Sequence, residues 1–123
     1  LVIIANGWHL ALFSATPLIT ESIEAWKYGD MIPSVYDKYR KFGTSKITDT
    51  IEKQDIEKIT KNFLKEIWRK YGEYNGMQLS SNLSKKGTPY KKQWSIACNT
   101  TKSIDLCIPN KFYQDYYNSL IKQ

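Results

Sequence analysis

One stripe of side chains constrains this sequence more than anything else in it. Between Asp55 and Tyr71 the residues Ile56, Ile59, Phe63, Leu64, Ile67, Trp68 and Tyr71 recur at a period close to 3.6, with charged residues between them. A helix with one continuous apolar face is held by what covers that face, so the chain must build a packed helical core around it. Asp55 stands where an N-cap belongs, and Gly72 where a left-handed residue closes a helix.

The rest of the chain reads as short elements around that helix. Residues 1–13, "LVIIANGWHLALF", are apolar on nearly every side, as a central helix is. No basic flank precedes them and Asn6, Gly7, Trp8 and His9 interrupt the run, so they do not read as a signal peptide. Residues 14–22 are turn-like, with Pro17 breaking any helix. A short extended piece over 23–28 leads to a turn at Gly29-Asp30. Pro33 and Ser34 open a helix through "VYDKYRKF" that stops at Gly43, with Val35, Tyr36, Tyr39 and Phe42 on its apolar side.

A polar connection follows over 44–54. "NGMQLSSNLSKKG" then reads as a short helix ended by Gly87. Thr88 and Pro89 cap and open the next helix, since a proline at the first helical position loses no hydrogen bond. After a loop at 99–103, Ile104, Leu106 and Ile108 alternate as a brief strand, and Pro109 precedes a last helix carrying Phe112, Tyr113, Tyr116 and Leu120. The expectation is a mainly α, compact single domain spanning 1–123, with five to six helices and one or two short β-strands. At 123 residues there is no room for a second core.

Charge narrows the function classes. The formal net charge is +6, but residues 1–30 carry one base against three acids, while residues 61–123 carry eleven bases against four acids. A basic second half attracts an acidic protein or a phosphate backbone. The cluster Lys85, Lys86, Lys91 and Lys92, with Tyr90 and Trp94 beside it, is the candidate contact for an anion or a nucleic acid; its bland alternative is a solvated helix face.

No catalytic set is legible. His9 is the single histidine, read as a buried, hydrogen-bonded side chain, and Glu21 and Glu24 lack any pocket or metal box around them. Cys98 and Cys107 are too far apart for a paired-thiol motif and too few for a zinc site, so two free thiols in a reducing cytoplasm are expected. Neither a metal nor a cofactor is implied, and no apolar run of about 18 residues suggests a membrane span.

The densest aromatic stretch is "IEAWKYGDMIPSVYDKY", residues 23–39. Its rings serve as core or as a binding surface; tyrosine and tryptophan dominate both. Within "NGWHLALFSATPLITESIEAWKYGDMIPSVYDKYRKFG" the sequence resembles the Panacea domain of SocA-type antitoxins, also met as a phage-associated protein family. Gly7 to Ala11, Pro17-Leu18, Glu24 to Gly29, Pro33 to Tyr36 and the lysine-rich helix to Gly43 follow the family pattern. "FLKEIWRKYGEYNGMQLSSNL" and "GTPYKKQW" resemble its later segments. Asp30 replaces a common proline, leaving room for a looser turn, and Tyr90 replaces a common tryptophan. Family members usually carry about 30 residues ahead of this point, so an N-terminal segment is expected to be missing here.

The resemblance implies a small, mostly helical, non-enzymatic protein that neutralises a cognate protein toxin by direct binding. In one branch such a protein is an adaptor that hands its target to an AAA+ protease; a phage counter-defence role and a nucleic-acid-binding regulator are the further alternatives. The expected toxin contacts are the 23–30 segment (Trp26, Lys27, Tyr28 and Asp30) and the basic face of the following helix (Lys38, Arg40 and Lys41). The aromatic hallmark itself reads as scaffold more than as contact.

Overall fold

The computed structural model describes residues 1–43, 45–48, 54–98 and 106–121. In chain order they form α1 (Val2–Leu12), β1 (Glu24–Trp26), β2 (Gly29–Met31), α2 (Pro33–Tyr39), a 3-10 turn η1 (Arg40–Phe42), α3 (Lys58–Tyr71), α4 (Gly76–Ser84), α5 (Pro89–Cys98) and α6 (Asn110–Ile121). The class is mainly α, as the sequence implies.

The core is α1 against α6. Ile4, Ala5, Trp8 and Leu10 of α1 are buried, and they meet Tyr113 and Tyr117 of α6. Gly7 makes that crossing possible: a methyl group there would overlap the ring of Tyr117. Trp8 and Tyr117 lie with ring centroids 4.9 Å apart, and the indole N–H of Trp8 donates to the hydroxyl of Tyr71 at 2.8 Å. That bond ties α3 to the core.

α3 departs from expectation at both ends and on its face. It starts at Lys58 with Glu57 as N-cap, so Asp55 and Ile56 lie outside it. Gly72 has φ −65°, a right-handed residue. Glycine is needed there for closeness instead: an added Cβ would stand 2.5 Å from the Trp68 carbonyl and 2.9 Å from its ring. Of the apolar stripe only Phe63, Ile67 and Tyr71 are buried, whereas Ile59 and Trp68 are 68% and 65% exposed. The stripe is wider than the surface the other described elements present to it.

The segment after α1 is held by a side chain. Ser14 and Ala15 turn the chain with φ of 52° and 66°, and the buried Asn6 then accepts hydrogen bonds from the amides of Leu18 (2.8 Å) and Ile19 (3.3 Å). A buried amide oxygen inside an apolar helix needs such donors.

The 23–31 segment is a hairpin. Glu24 pairs with Met31, Ala25 with Asp30 and Trp26 with Gly29, so the turn is Lys27-Tyr28 and not Gly29-Asp30. Gly29 begins the return strand with φ +145°, a conformation that glycine adopts far more readily than any other residue. Of the strand expected near 108 the described residues form a single antiparallel bridge, Cys107 opposite Glu24, on the other edge of β1. The Ala25 amide donates to Leu106 at 2.8 Å and the Ile108 amide to Ile23 at 2.7 Å. Ile104, the 99–103 loop and most of the 44–54 connection fall outside the described residues.

One cap is as read, and a second is new. The Thr88 oxygen accepts from the Lys91 amide at 3.4 Å, with Pro89 at the first helical position. Asn75 and Gln78 form a reciprocal capping box at the start of α4. Cys107 carries a half-buried thiol.

Candidate functional site

The residues singled out from sequence divide by what they touch. Tyr90 is 3% exposed, and its hydroxyl donates to the Trp26 carbonyl at 2.6 Å and stands 3.1 Å from that of Lys27. It clamps the hairpin turn onto α5. A ring so buried offers no open face to a nucleic-acid base. Its neighbour Trp94 is half-buried and lies parallel to it, with centroids 6.1 Å apart.

Asp30 is likewise engaged within the molecule. It lies across from Ala25, half-buried, and accepts the hydroxyl hydrogen of Tyr113 at 2.6 Å. Burial raises its carboxyl above the usual range, a shift partly offset by that hydrogen bond. Burial also pushes the Tyr113 hydroxyl far above a normal phenol, with the nearby carboxylate adding to it. This residue in place of proline fastens the hairpin to α6 rather than loosening it. Trp26 is half-buried too: its N–H donates to Glu24 at 2.8 Å and its ring meets the edge of Tyr36 at 5.1 Å.

What remains open is the hairpin tip and the segment after it. Tyr28 is 85% exposed, with the Lys27 ammonium 5.4 Å from its ring. α2 and η1 together bury no side chain. Val35 and Tyr36, expected to be core, are each 39% exposed, and Lys38, Arg40 and Lys41 lie on the same short stretch, all exposed. Lys38 sits 5.4 Å from the Tyr39 ring centroid and Lys41 5.3 Å from that of Phe42. The stretch read as scaffold is therefore scaffold only up to Ile32, which is buried. The reason is geometric: nothing among the described elements covers the outer side of α2 beyond the edge of Trp26.

The second basic cluster does not converge on one point. Lys92 stacks on Phe112 at 4.1 Å, Lys91 lies 6.0 Å from the Tyr90 ring, and Lys85 and Lys86 occupy the turn before Gly87. The Lys85 carbonyl accepts both the amide (3.3 Å) and the hydroxyl (2.7 Å) of Thr88, closing that turn on itself.

His9 is half-buried rather than buried, stacked on Phe13 at 4.4 Å and edge-on to Phe63 at 5.2 Å. Its Nδ1 lies 2.6 Å from the Thr16 carbonyl. A carbonyl only accepts, so Nδ1 carries the hydrogen and His9 closes the turn after α1. Among the described residues no three histidine, cysteine, aspartate or glutamate side chains gather as a metal site. No helix among them is long and apolar enough to cross a membrane.

The family described as antitoxin SocA-like, Panacea domain, matches residues 1–91, and the chain belongs to that family. Neither the curated proteins nor the solved structures compared with it contain a match.

Proposed function

We propose that this protein is an antitoxin that neutralises a protein toxin by direct binding, and that the toxin docks on α2–η1 together with the hairpin tip. The observation that carries the reading is an amphipathic segment, Pro33–Phe42, in which no side chain is buried. A helix with apolar and aromatic residues that contributes nothing to its own core has its covering elsewhere. Tyr36, Tyr28, Lys38, Arg40 and Lys41 are residue types that dominate binding hot spots or steer an acidic partner. Family membership supplies the class of partner, a toxin.

Co-expression with the product of the adjacent gene tests it, by growth rescue and co-purification. The wild-type chain rescues and forms a complex. Lys38→Glu, Arg40→Glu and Lys41→Glu combined lose both while the thermal unfolding curve stays in place. Absence of rescue and of a complex for the wild type would end the antitoxin reading. Full rescue by the triple variant would move the contact off α2–η1.

A further inference from the structure

We infer that the cleft between the end of α3 and α4 binds a small planar aromatic anion, a ring that carries a carboxylate or a phosphate. The site shares no residue with α2–η1 or the hairpin tip and does not rest on the antitoxin reading. Its volume is about 330 Å³, and Lys70, Tyr71, Tyr74, Gln78, Leu79 and Asn82 line it. Clefts that take small molecules run from about 300 to 1,000 Å³, so this one has the size for one ring system and its substituents. The junction that forms it is braced. The Tyr74 amide donates to the Tyr71 carbonyl at 3.1 Å, and Asn75 and Gln78 lock the first turn of α4 with two bonds of 2.9 Å. The rings of Tyr71 and Tyr74 stand 6.3 Å apart, and Tyr74 is 52% exposed, so its ring is accessible to a second ring.

The polar groups in the lining select the charge of the ligand. A backbone N–H only donates, so the Gln78 oxygen faces the Asn75 amide and the Gln78 NH₂ is left to donate elsewhere. Asn82 adds a second side-chain amide. Lys70 brings a cation, its ammonium 4.3 Å from the Trp8 ring centroid and 5.5 Å from that of Tyr71. No acid lines the cleft, and the one acid of α3, Glu66, is engaged by Arg69 at 2.9 Å. Amide donors and a cation beside two phenol rings complement a flat, acceptor-rich molecule with a negative charge.

Titration of the isotope-labelled chain with benzoate and with adenosine monophosphate, followed by amide chemical shifts, tests it. Saturable shifts centred on residues 70–82 are expected with at least one of them, and the tighter binder names the preferred anionic group. Gln78→Glu is the sharpest variant. Glutamate at this position still closes the capping box, yet it puts a negative charge where the free donor was. Affinity should fall at least about tenfold while the melting curve stays in place. Lys70→Gln should weaken binding in the same direction, and benzyl alcohol, the neutral counterpart of benzoate, should bind less tightly than benzoate. The absence of a saturable shift with either anion would overturn the inference. So would benzyl alcohol binding as well as benzoate, or inorganic phosphate as well as the nucleotide. Unchanged affinity in both Gln78→Glu and Lys70→Gln would overturn it as well.

Discussion

α1 and α2 are both helices with several apolar side chains, yet six residues of α1 are buried and none of α2. Composition already leans that way: α1 carries no acidic or basic residue besides His9, while α2 carries Asp37 and Lys38. The rest of the difference is what lies opposite: α1 has α6, brought close by the missing side chain at Gly7, while Tyr36 of α2 meets the edge of Trp26. Burial stabilises at roughly 25 cal/mol per Å² of apolar surface, so the hydrophobic effect holds α1 more firmly than α2. The domain is thus a frame of α1, α6 and the hairpin that carries an arm, α2–η1, none of whose side chains is fully buried.

Substitutions can break that contrast, and the frame should yield the largest effect. Tyr117→Ala removes a ring packed against Trp8 and Gly7, and should cost about 3–5 kcal/mol in urea unfolding. Tyr117→Phe separates packing from polarity. The hydroxyl is buried without a hydrogen-bond partner among the described residues, so its removal should leave stability unchanged or raise it. A loss above 1 kcal/mol in Tyr117→Phe, an order-of-magnitude threshold, would mean that the hydroxyl is satisfied in solution.

The clamp between frame and hairpin comes next. Tyr90→Phe leaves the Trp26 carbonyl without its donor and should cost about 1–3 kcal/mol, seen as a lowered midpoint with an unchanged slope. An equal cost in toxin binding would show that the turn must be held for the arm to be presented.

Asp30 gives a pH test of the same junction. Its folded carboxyl titrates above the ordinary value near 4, so the folded chain holds this proton more tightly than the unfolded one. The stability it contributes is full below about pH 4 and is lost as pH rises through the folded value. Asp30→Asn should therefore unfold with a flatter pH dependence across the mildly acidic range, and should equal or exceed the wild type at neutral pH. A wild type that gains stability over that window relative to the variant would reverse the assignment.

The smallest effect on stability belongs to the arm. Val35→Ala should move the unfolding free energy by less than about 0.5 kcal/mol, the usual range for surface positions, and Tyr36→Ala, which also gives up the edge contact with Trp26, by about 0.5–1.5 kcal/mol. Binding, measured by calorimetry with the toxin, should suffer more than stability does. A stability loss in Val35→Ala as large as that of Tyr90→Phe would place α2 inside the frame.

Sequence reached the fold class because periodicity and caps are local. The α3 stripe and Thr88-Pro89 announce themselves within a few residues, whereas α4 ends at Ser84, three residues before the Gly87 expected to close it. It misjudged what depends on a distant neighbour. Whether Val35 and Tyr36 are core depends on a covering surface that no local pattern reports, and the same holds for Ile59 and Trp68. Gly72 looked like a left-handed cap because that is the common use of glycine after a helix, whereas here it makes way for Trp68. The capping pair Asn75 and Gln78 went unread, although an asparagine three residues before a glutamine is the spacing that announces it. Of the candidate contacts, charge and aromaticity pointed to Lys27, Tyr28, Lys38, Arg40 and Lys41, but could not show that Asp30 and Tyr90 face inward.

The two bonds that Asn6 accepts bind the fate of the 14–22 segment to a helix. The amides of Leu18 and Ile19 are shielded only while the Asn6 oxygen, fixed on α1, stays in place. In deuterated solvent those two hydrogens should then exchange on the slow schedule of α1 rather than at the pace of a surface connection. A stretch that looks like a loop would open only as part of the cooperative unit built on the first helix.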